Sequence, residues 1–228
     1  MMRILAVDTS TMSCSVSVLD SGLVIAEKTL VSKETHSKHL HEMIERVLDM
    51  ADLDISDVDG FAVTKGPGSF TGLRIGVSAI KGLAFALNKP VVAVSSLEAL
   101  AWPFCFSSIR ICPMIDARRG EVYTAQYVSK NGMLEKIIDD SVLSPEKVVA
   151  DLKDPALFIG SGALAYQEIL TGHLGASAHF VPPHMNVIRA AAVGELGFRK
   201  FGKRENDDVH SFKPRYIRKS DAELNFAK

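Results

Sequence analysis

Thirteen residues constrain this chain more than any other stretch: Thr64-Lys65-Gly66-Pro67-Gly68-Ser69-Phe70-Thr71-Gly72-Leu73-Arg74-Ile75-Gly76. They join a short apolar run, Phe61–Val63, to a helical pattern that reaches about Leu87. Pro67 sets its own φ and turns Gly66 away from the helical region, while Gly66 and Gly68 permit turns closed to other residues. Ser69 or Thr71 suits the N-cap of the following helix. A helix N-terminus behind a glycine-rich loop can hold an anion. The same loop is also a rigid corner against which a partner can pack. It matches neither the Walker pattern nor Gly-x-Gly-x-x-Gly, so both readings stand.

The helix after the loop has two faces. Leu73, Val77, Ile80, Ala84 and Leu87 form an apolar stripe, and Gly72, Gly76, Ala79, Leu83 and Ala86 form a mostly small-residue strip. Glycine inside a helix costs about 1 kcal/mol relative to Ala, so the repetition asks for a packing reason. Close approach of another backbone is the expectation. Upstream, Thr35–Ala51 predicts a helix with Leu40, Met43, Ile44, Val47, Leu48 and Ala51 on one broad face.

Around these helices the pattern is strand-rich. Met2–Val7, Ser13–Leu19 and Leu23–Leu30 read as a meander, with Asp8 at the tip of its first strand. Val91–Val94 follows the long helix. Pro103–Ser108 is the boundary candidate, giving domains 1–104 and 105–228. Beyond it Arg110–Ile115, Glu121–Val128 and Leu134–Ile138 predict a second meander. Ser144-Pro145-Glu146 opens a short helix, Ala156–Ile159 is a strand ending in Gly160-Ser161-Gly162, and Ala163–Leu170 is helical. Asn186 is expected to cap a helix from Val187 to about Lys200. The charged tail, interrupted by Pro214, is expected to pack back as an extended segment. The two halves share one order of elements, without a residue-level repeat.

Composition excludes several classes. Lys plus Arg is 26 against 27 for Asp plus Glu, so bulk charge gives no support for a chain that coats nucleic acid alone. Cys14, Cys105 and Cys112 have no metal-ligand spacing and no disulfide framework, which reads as core thiols in a reducing cytosol. No secretory leader pattern and no run of 18 uncharged apolar residues is present, so no membrane span is expected.

Candidate chemistry is sparse. Asp8 is either a group near magnesium or phosphate, or a strand-end Asp that caps its own turn. His36, His39 and His41 fail the i, i+4 test for metal ligands, because Leu40 occupies the slot after His36. No metal site is expected, and His36 is read as a cap or a partner contact. Arg74, in an early turn where a cation is disfavoured, asks for Asp8, a phosphate or a partner carboxylate. Arg118, Arg119 and Glu121 lie on a turn. They form either a phosphate-gripping pair or a solvated one. Tyr216 with Arg215, Arg218 and Lys219 has the makings of an RNA-stacking tail, with docking on the first domain as the simpler reading. No Ser-His-Asp or Cys-His arrangement is present to argue from, so no catalytic residue is assigned.

Five motifs together carry a resemblance. Gly66–Gly76, Ile4-Leu5-Ala6-Val7-Asp8-Thr9-Ser10, Ser95-Ser96-Leu97-Glu98-Ala99-Leu100, Asp116-Ala117-Arg118-Arg119-Gly120-Glu121-Val122-Tyr123 and Pro214-Arg215-Tyr216-Ile217-Arg218 resemble the bacterial TsaB (YeaZ) proteins, in the family's order. The resemblance implies two α/β domains of the actin-like ATPase fold found in sugar kinases and Hsp70. It implies a cytoplasmic, non-catalytic activating subunit. That subunit acts with TsaD and the ATPase TsaE in transferring threonylcarbamoyl to adenosine 37 of tRNAs reading A-starting codons, and meets tRNA mainly through the complex. The alternative is an enzyme on the same fold, a TsaD-like metallopeptidase or a kinase. The missing His-x-x-x-His argues against the metallopeptidase. Ser10, where a phosphate-cradling turn has Gly, argues against the kinase.

The resemblance places a relic nucleotide cleft at Asp8, Thr11, Gly160 and Gly162, with at most weak adenine nucleotide and Mg²⁺. It places the partner face on the two helices of the first domain. His36, Leu40, Met43, Gly72, Arg74, Gly76, Ala79 and Leu83 are the expected contacts, which also serve a homodimer when TsaD is absent.

Overall fold

A computed structural model describes residues 2–32 and 34–218. The chain divides into two compact units, Met1–Ala99 with Ile188–Arg215, and Leu100–Val187 with the described residues from Tyr216 on. The first break lies close to the expected one. The second was not expected: 105–228 is not one continuous domain, because the last helix and most of the tail return to the first unit.

In that unit the elements are β1 (Arg3–Asp8), β2 (Ser13–Asp20), β3 (Leu23–Val31), α1 (Leu40–Met50), β4 (Gly60–Gly66), α2 (Phe70–Leu87) and β5 (Val91–Ser95). Then α3 (Ser96–Ala101) runs to the break. The strands form one sheet in the order β3-β2-β1-β4-β5. β1 is central, antiparallel to β2 and parallel to β4, and Ile4–Val7 is buried on both faces. That is why it reads as an unbroken apolar run rather than an alternation. α1 and α2 cover one face, contributing Leu40, Met43, Ile44, Val47, Val77, Ile80 and Ala84 to a core with Leu5, Val7, Phe61 and Val63.

The second unit holds β6 (Arg110–Arg118), β7 (Glu121–Lys130), β8 (Met133–Leu143), α4 (Pro145–Val149), β9 (Ala156–Ile159), α5 (Ser161–Ala165), α6 (Gln167–Leu174) and β10 (Ala178–Phe180). Its sheet runs β10-β9-β6-β7-β8, with β6 antiparallel to β7 and parallel to β9. Position by position this is the topology of the first sheet. β10 escaped the sequence reading because three residues with a His at the centre carry no strand pattern.

α7 (Ala190–Gly202) packs on β1, β2 and β4 of the first unit. Gly194 and Gly197 permit this, since a Cβ there would meet Leu19 Cδ1 at 2.1 Å and Ala62 Cβ at 2.7 Å. Its N-cap is Arg189, not Asn186. Asn186 instead accepts the Gly160 N–H through Oδ1 at 2.6 Å, so the helix starts later than expected.

The tail then runs along the edge of the first sheet. Asp207 N–H donates to Val91 O at 2.9 Å, and its carboxylate accepts from Ala93 N at 2.7 Å. Lys81 Nζ donates to the carbonyls of His210 and Phe212, both at 3.1 Å, and Phe212 is buried. Arg215 N–H closes the path on Lys65 O at 2.6 Å. Docking on the first unit is therefore observed as far as Arg215, whereas Tyr216 and Arg218 fall with the second unit.

α2 is the one described helix long and apolar enough to cross a membrane. Leu73, Val77, Ile80 and Ala84 are buried in this unit, and that core role accounts for its apolarity.

Asp207→Ala removes the tail's bond to Ala93 and is expected to lower stability by about 1.5–3 kcal/mol, the range for a hydrogen bond to a charged group. Asp207→Asn, which keeps an acceptor, should lose less. Urea midpoints of the two variants against wild type check this, and equal midpoints would detach the tail from the stability of the unit.

Candidate functional site

The tip of β1 is a closed knot. Asp8 is fully buried, and its Oδ1 accepts from Ser10 N at 3.1 Å, Ser10 Oγ at 2.6 Å and Thr64 Oγ1 at 2.7 Å. Its Oδ2 is buried with no hydrogen-bond partner among the described residues. Burial raises the Asp8 carboxyl above its ordinary 3.8, against the hydrogen bonds from Ser10 and Thr64 and the field of His36. Ser10, the residue expected to weaken a phosphate cradle, spends both its donors on Asp8. Thr11 O accepts from His36 Nε2 at 2.7 Å, and the Thr11 and Ser13 hydroxyls share a hydrogen bond at 2.8 Å. His36 is nearly buried in doing so, and its role here is to cap the turn.

The glycine loop closes over this turn. A cis peptide bond joins Gly66 to Pro67, and Ser69 N–H donates to Ser10 O at 2.7 Å. Ser69 caps α2 through its hydroxyl, which accepts from Gly72 N at 3.2 Å. A Cβ on Gly68 would stand 2.1 Å from Ser10 O, on Gly72 2.0 Å from Thr9 O, and on Gly76 2.3 Å from Thr9 Oγ1. The backbone that the glycines admit is thus the chain's own. Gly72 and Gly76 are buried under the Thr9–Ser10 turn, which corrects their placement on a partner-facing strip. Leu40 and Met43, 3% and 2% exposed, likewise belong to the core beneath α1 and offer no surface to a partner.

What α2 does present outward is a different ridge. Arg74, Ser78, Gly82, Phe85 and Ala86 are exposed, and Ala79 and Leu83 are half-buried beside them. Arg74 does not reach Asp8. Its guanidinium lies 4.7 Å from the Phe70 ring centroid, one turn back, in a cation–π contact. Phe85 is 67% exposed and meets the His210 ring edge-on at 5.7 Å, so the tail borders this ridge. Neither Phe85 nor His210 was singled out from sequence. The signal was a lone aromatic among Leu83, Ala84 and Ala86, which periodicity assigns to no face with certainty.

In the second unit Gly160 and Gly162 serve packing. Gly160 has φ +104°, and Cβ atoms at the two positions would meet Met114 O at 2.4 Å and Val122 Cγ1 at 2.8 Å. Arg118, Arg119 and Gly120 all have positive φ in the tight turn between β6 and β7, and Asp116 Oδ1 accepts from Arg118 N at 2.8 Å. Arg218 pairs with Glu121 at 3.0 Å; Lys219 lies outside the described residues. Among the described residues no group of three or more His, Cys, Asp and Glu could hold a metal ion. His39 instead meets Glu34 at 2.8 Å. Cys14 and Cys112 are buried, and burial pushes each thiol up to about 12, with Asp8 adding to the effect at Cys14.

A family model described as TsaD, tRNA N6-adenosine threonylcarbamoyltransferase, matches residues 24–226. The tRNA threonylcarbamoyladenosine biosynthesis protein TsaB of Bacillus subtilis is 36% identical over 228 residues, spanning 99% of this chain and 98% of that one. The chain belongs to the TsaB family. The solved structure of YeaZ from Pseudomonas aeruginosa agrees, with a TM-score of 0.81 at 31% identity over 95% of this chain and 100% of that one. Component A of the (R)-2-hydroxyglutaryl-CoA dehydratase from Acidaminococcus fermentans, at 12% identity and TM-score 0.55 over 89% of this chain and 100% of that one, shares the fold alone. This chain therefore shares its two-sheet α/β fold with that component. In this chain, the turn after the first strand is packed by its own glycine loop.

Two outcomes test this geometry. Gly76→Ala should destabilise by about 1–3 kcal/mol through overpacking against Thr9. Gly82→Ala, on the same helix with nothing within 4 Å, should stabilise by about 0.5–1 kcal/mol. Opposite shifts of the thermal midpoint are expected, and shifts of the same sign would refute the buried placement of Gly76. The raised Asp8 carboxyl sets a pH dependence. Because the folded chain holds this proton more tightly, the stability it contributes is complete below 3.8 and is lost as pH rises through the folded value. Asp8→Asn should flatten the decline of the urea midpoint with rising pH, and an unchanged slope would assign the decline to other groups.

Proposed function

We propose that this chain is the non-catalytic subunit of the machinery that makes threonylcarbamoyladenosine in tRNA. In this reading it binds TsaD and is required for TsaD to transfer the threonylcarbamoyl group to adenosine 37, with the ATPase TsaE joining the pair. The observation that carries the reading is the end-to-end kinship with TsaB. The Asp8 turn supports it: Ser10 and Thr64 spend their donors on Asp8, whose carboxylate is fully buried.

The partner face in this reading is the outer ridge of α2, with Arg74, Ala79 and Leu83 retained from the sequence expectation and Phe85 added. An exposed Phe beside half-buried aliphatic side chains is the composition of an interface anchor. The same ridge serves self-association when TsaD is absent, since an uncovered apolar patch seeks burial. The setting is the cytoplasm, and contact with tRNA is made mainly through the complex. Adenine nucleotide binds the isolated chain with a Kd above roughly 100 µM. Support comes from Thr11 and Ser10 being committed to His36 and Asp8.

Reconstitution with TsaD, TsaE, tRNA, ATP and the threonylcarbamoyl-AMP synthase, with this chain omitted from one arm, tests the role. Transfer should disappear in that arm, and full transfer without the chain would sink the reading. Phe85→Ala is expected to weaken association with TsaD by about 2 kcal/mol or more, as truncating an interface anchor does. Its thermal midpoint should stay near wild type, because the ring is largely outside the core. Undiminished association in sedimentation would remove this ridge from the interface.

A further inference from the structure

The tail after α7 is docked in a way that attachment alone does not require. Val209 and Phe212 turn inward: Val209 packs against the core of the first unit, and Phe212 belongs to it. His210, between them, is exposed. The turn that carries it is nevertheless fixed. His210 N–H donates to Asp208 Oδ1 at 3.0 Å, and Ser211 Oγ donates to the other oxygen of that carboxylate at 2.7 Å. Lys81 Nζ donates to the His210 carbonyl, and it lies 5.3 Å from the Phe212 ring centroid. A surface ring on so restrained a backbone has a set position.

That position is against Phe85. The two ring centroids are 5.7 Å apart at an interplanar angle of 80°, the edge-on geometry that aromatic pairs favour. Lys81 and Phe85 are one turn apart on α2, so the clasp and the ring contact come from the same side of the helix. The contact does not bury Phe85, which remains 67% exposed. Beside the pair the helix surface is low: Ser78 and Gly82 are exposed, and a Cβ on Gly82 would meet nothing within 4 Å. One ring from α2 and one from the tail thus form a rim next to a shallow floor. Interfaces concentrate aromatic side chains, and apolar area left in water is what a partner's burial recovers.

We infer that the tail supplies part of the partner face, with His210 and Phe85 acting as one composite anchor for TsaD. The inference rests on the reading of the α2 ridge as that face. It adds a contribution from a segment 129 residues beyond Lys81 in sequence. The occupant is an apolar helix face of TsaD, which the missing side chain at Gly82 admits close to α2 and which the rings flank. Lys81 is a positioning residue: it acts through the His210 ring that it holds in place.

Dissociation constants for TsaD, measured by sedimentation with the full chain, test this. His210→Ala should weaken association about threefold to tenfold, the worth of an aromatic pair converted to a binding ratio. His210→Phe, which keeps a ring, should stay within about twofold of wild type. Both variants should melt near wild type, because the ring is exposed. Lys81→Met removes the clasp and should weaken association by a similar factor. In that background His210→Ala should add little, since a ring no longer held in place has little to lose. Should Lys81→Met fail to fold, amide exchange in the wild-type chain carries the test, and it should slow across 208–212 when TsaD binds. A complex weakened by Phe85→Ala but unchanged by His210→Ala overturns the composite anchor and leaves the ridge standing. Association unchanged by both variants overturns ridge and anchor together. Equal losses with His210→Phe and His210→Ala, or exchange across 208–212 unmoved by TsaD, also overturn the inference.

Discussion

The contact on which the first unit depends is backbone against backbone: the turn after β1 pressed onto the start of α2. Thr9 Oγ1 donates to Gly72 O at 2.8 Å and Ser10 O accepts from Ser69 N at 2.7 Å, so hydrogen bonds hold the approach from both sides. Glycine at 68, 72 and 76 is what lets the surfaces come this close, since any Cβ would fall inside contact distance. The seam fixes the start of α2, whose buried stripe lies on β4 and whose far end receives the tail through Lys81. One packing requirement thereby orders the loop, the helix and the C-terminal segment.

The second unit repeats the device on a smaller scale. β4 and β9 hold the same place in their sheets and both end at a glycine of positive φ, Gly66 at +114° and Gly160 at +104°. Each glycine is followed by a helix whose early glycine is crowded by the preceding antiparallel strands or their turn. A parallel strand that must turn at once into a helix over its neighbour leaves no room for side chains at the crossing. Shared topology and a shared corner make the case for duplication in terms of geometry, where residue identities make none.

Charge is handled differently in the two units. Asp8 gathers three donors on one oxygen, which favour the carboxylate, but leaves the other dry, and burial outweighs those donors in favour of the neutral acid. The Cys14 and Cys112 thiols, protonated by the same desolvation, sit in the core as small apolar groups. Arg110 is kept half-buried by sharing itself between Gln126 and a solvated carboxylate. The first unit thus closes its polar interior on itself, whereas the second keeps polar and charged groups around an open cavity beside Gln126.

Periodicity and turn chemistry made the meanders, the strand–loop–helix corner, the Ser69 cap and the α/β class legible along the chain, because each rests on neighbours within a few residues. The spaced motifs carried the family, since a whole-length order of motifs is itself linear information. Which face of α2 is free was not legible. Gly72 and Gly76 read as an open strip, and only the tertiary approach of Thr9, more than sixty residues away in sequence, shows that the chain fills that strip itself. Leu40 and Met43 were misplaced for the same reason, because an apolar stripe looks identical whether a core or a partner covers it. The return of Ile188–Arg215 to the first unit, Asn186 bonding Gly160 instead of capping α7, and the polar cavity around Gln126 are likewise long-range outcomes. Local sequence decides what a segment can become; what it touches is decided by the competition of all segments for the same buried volume.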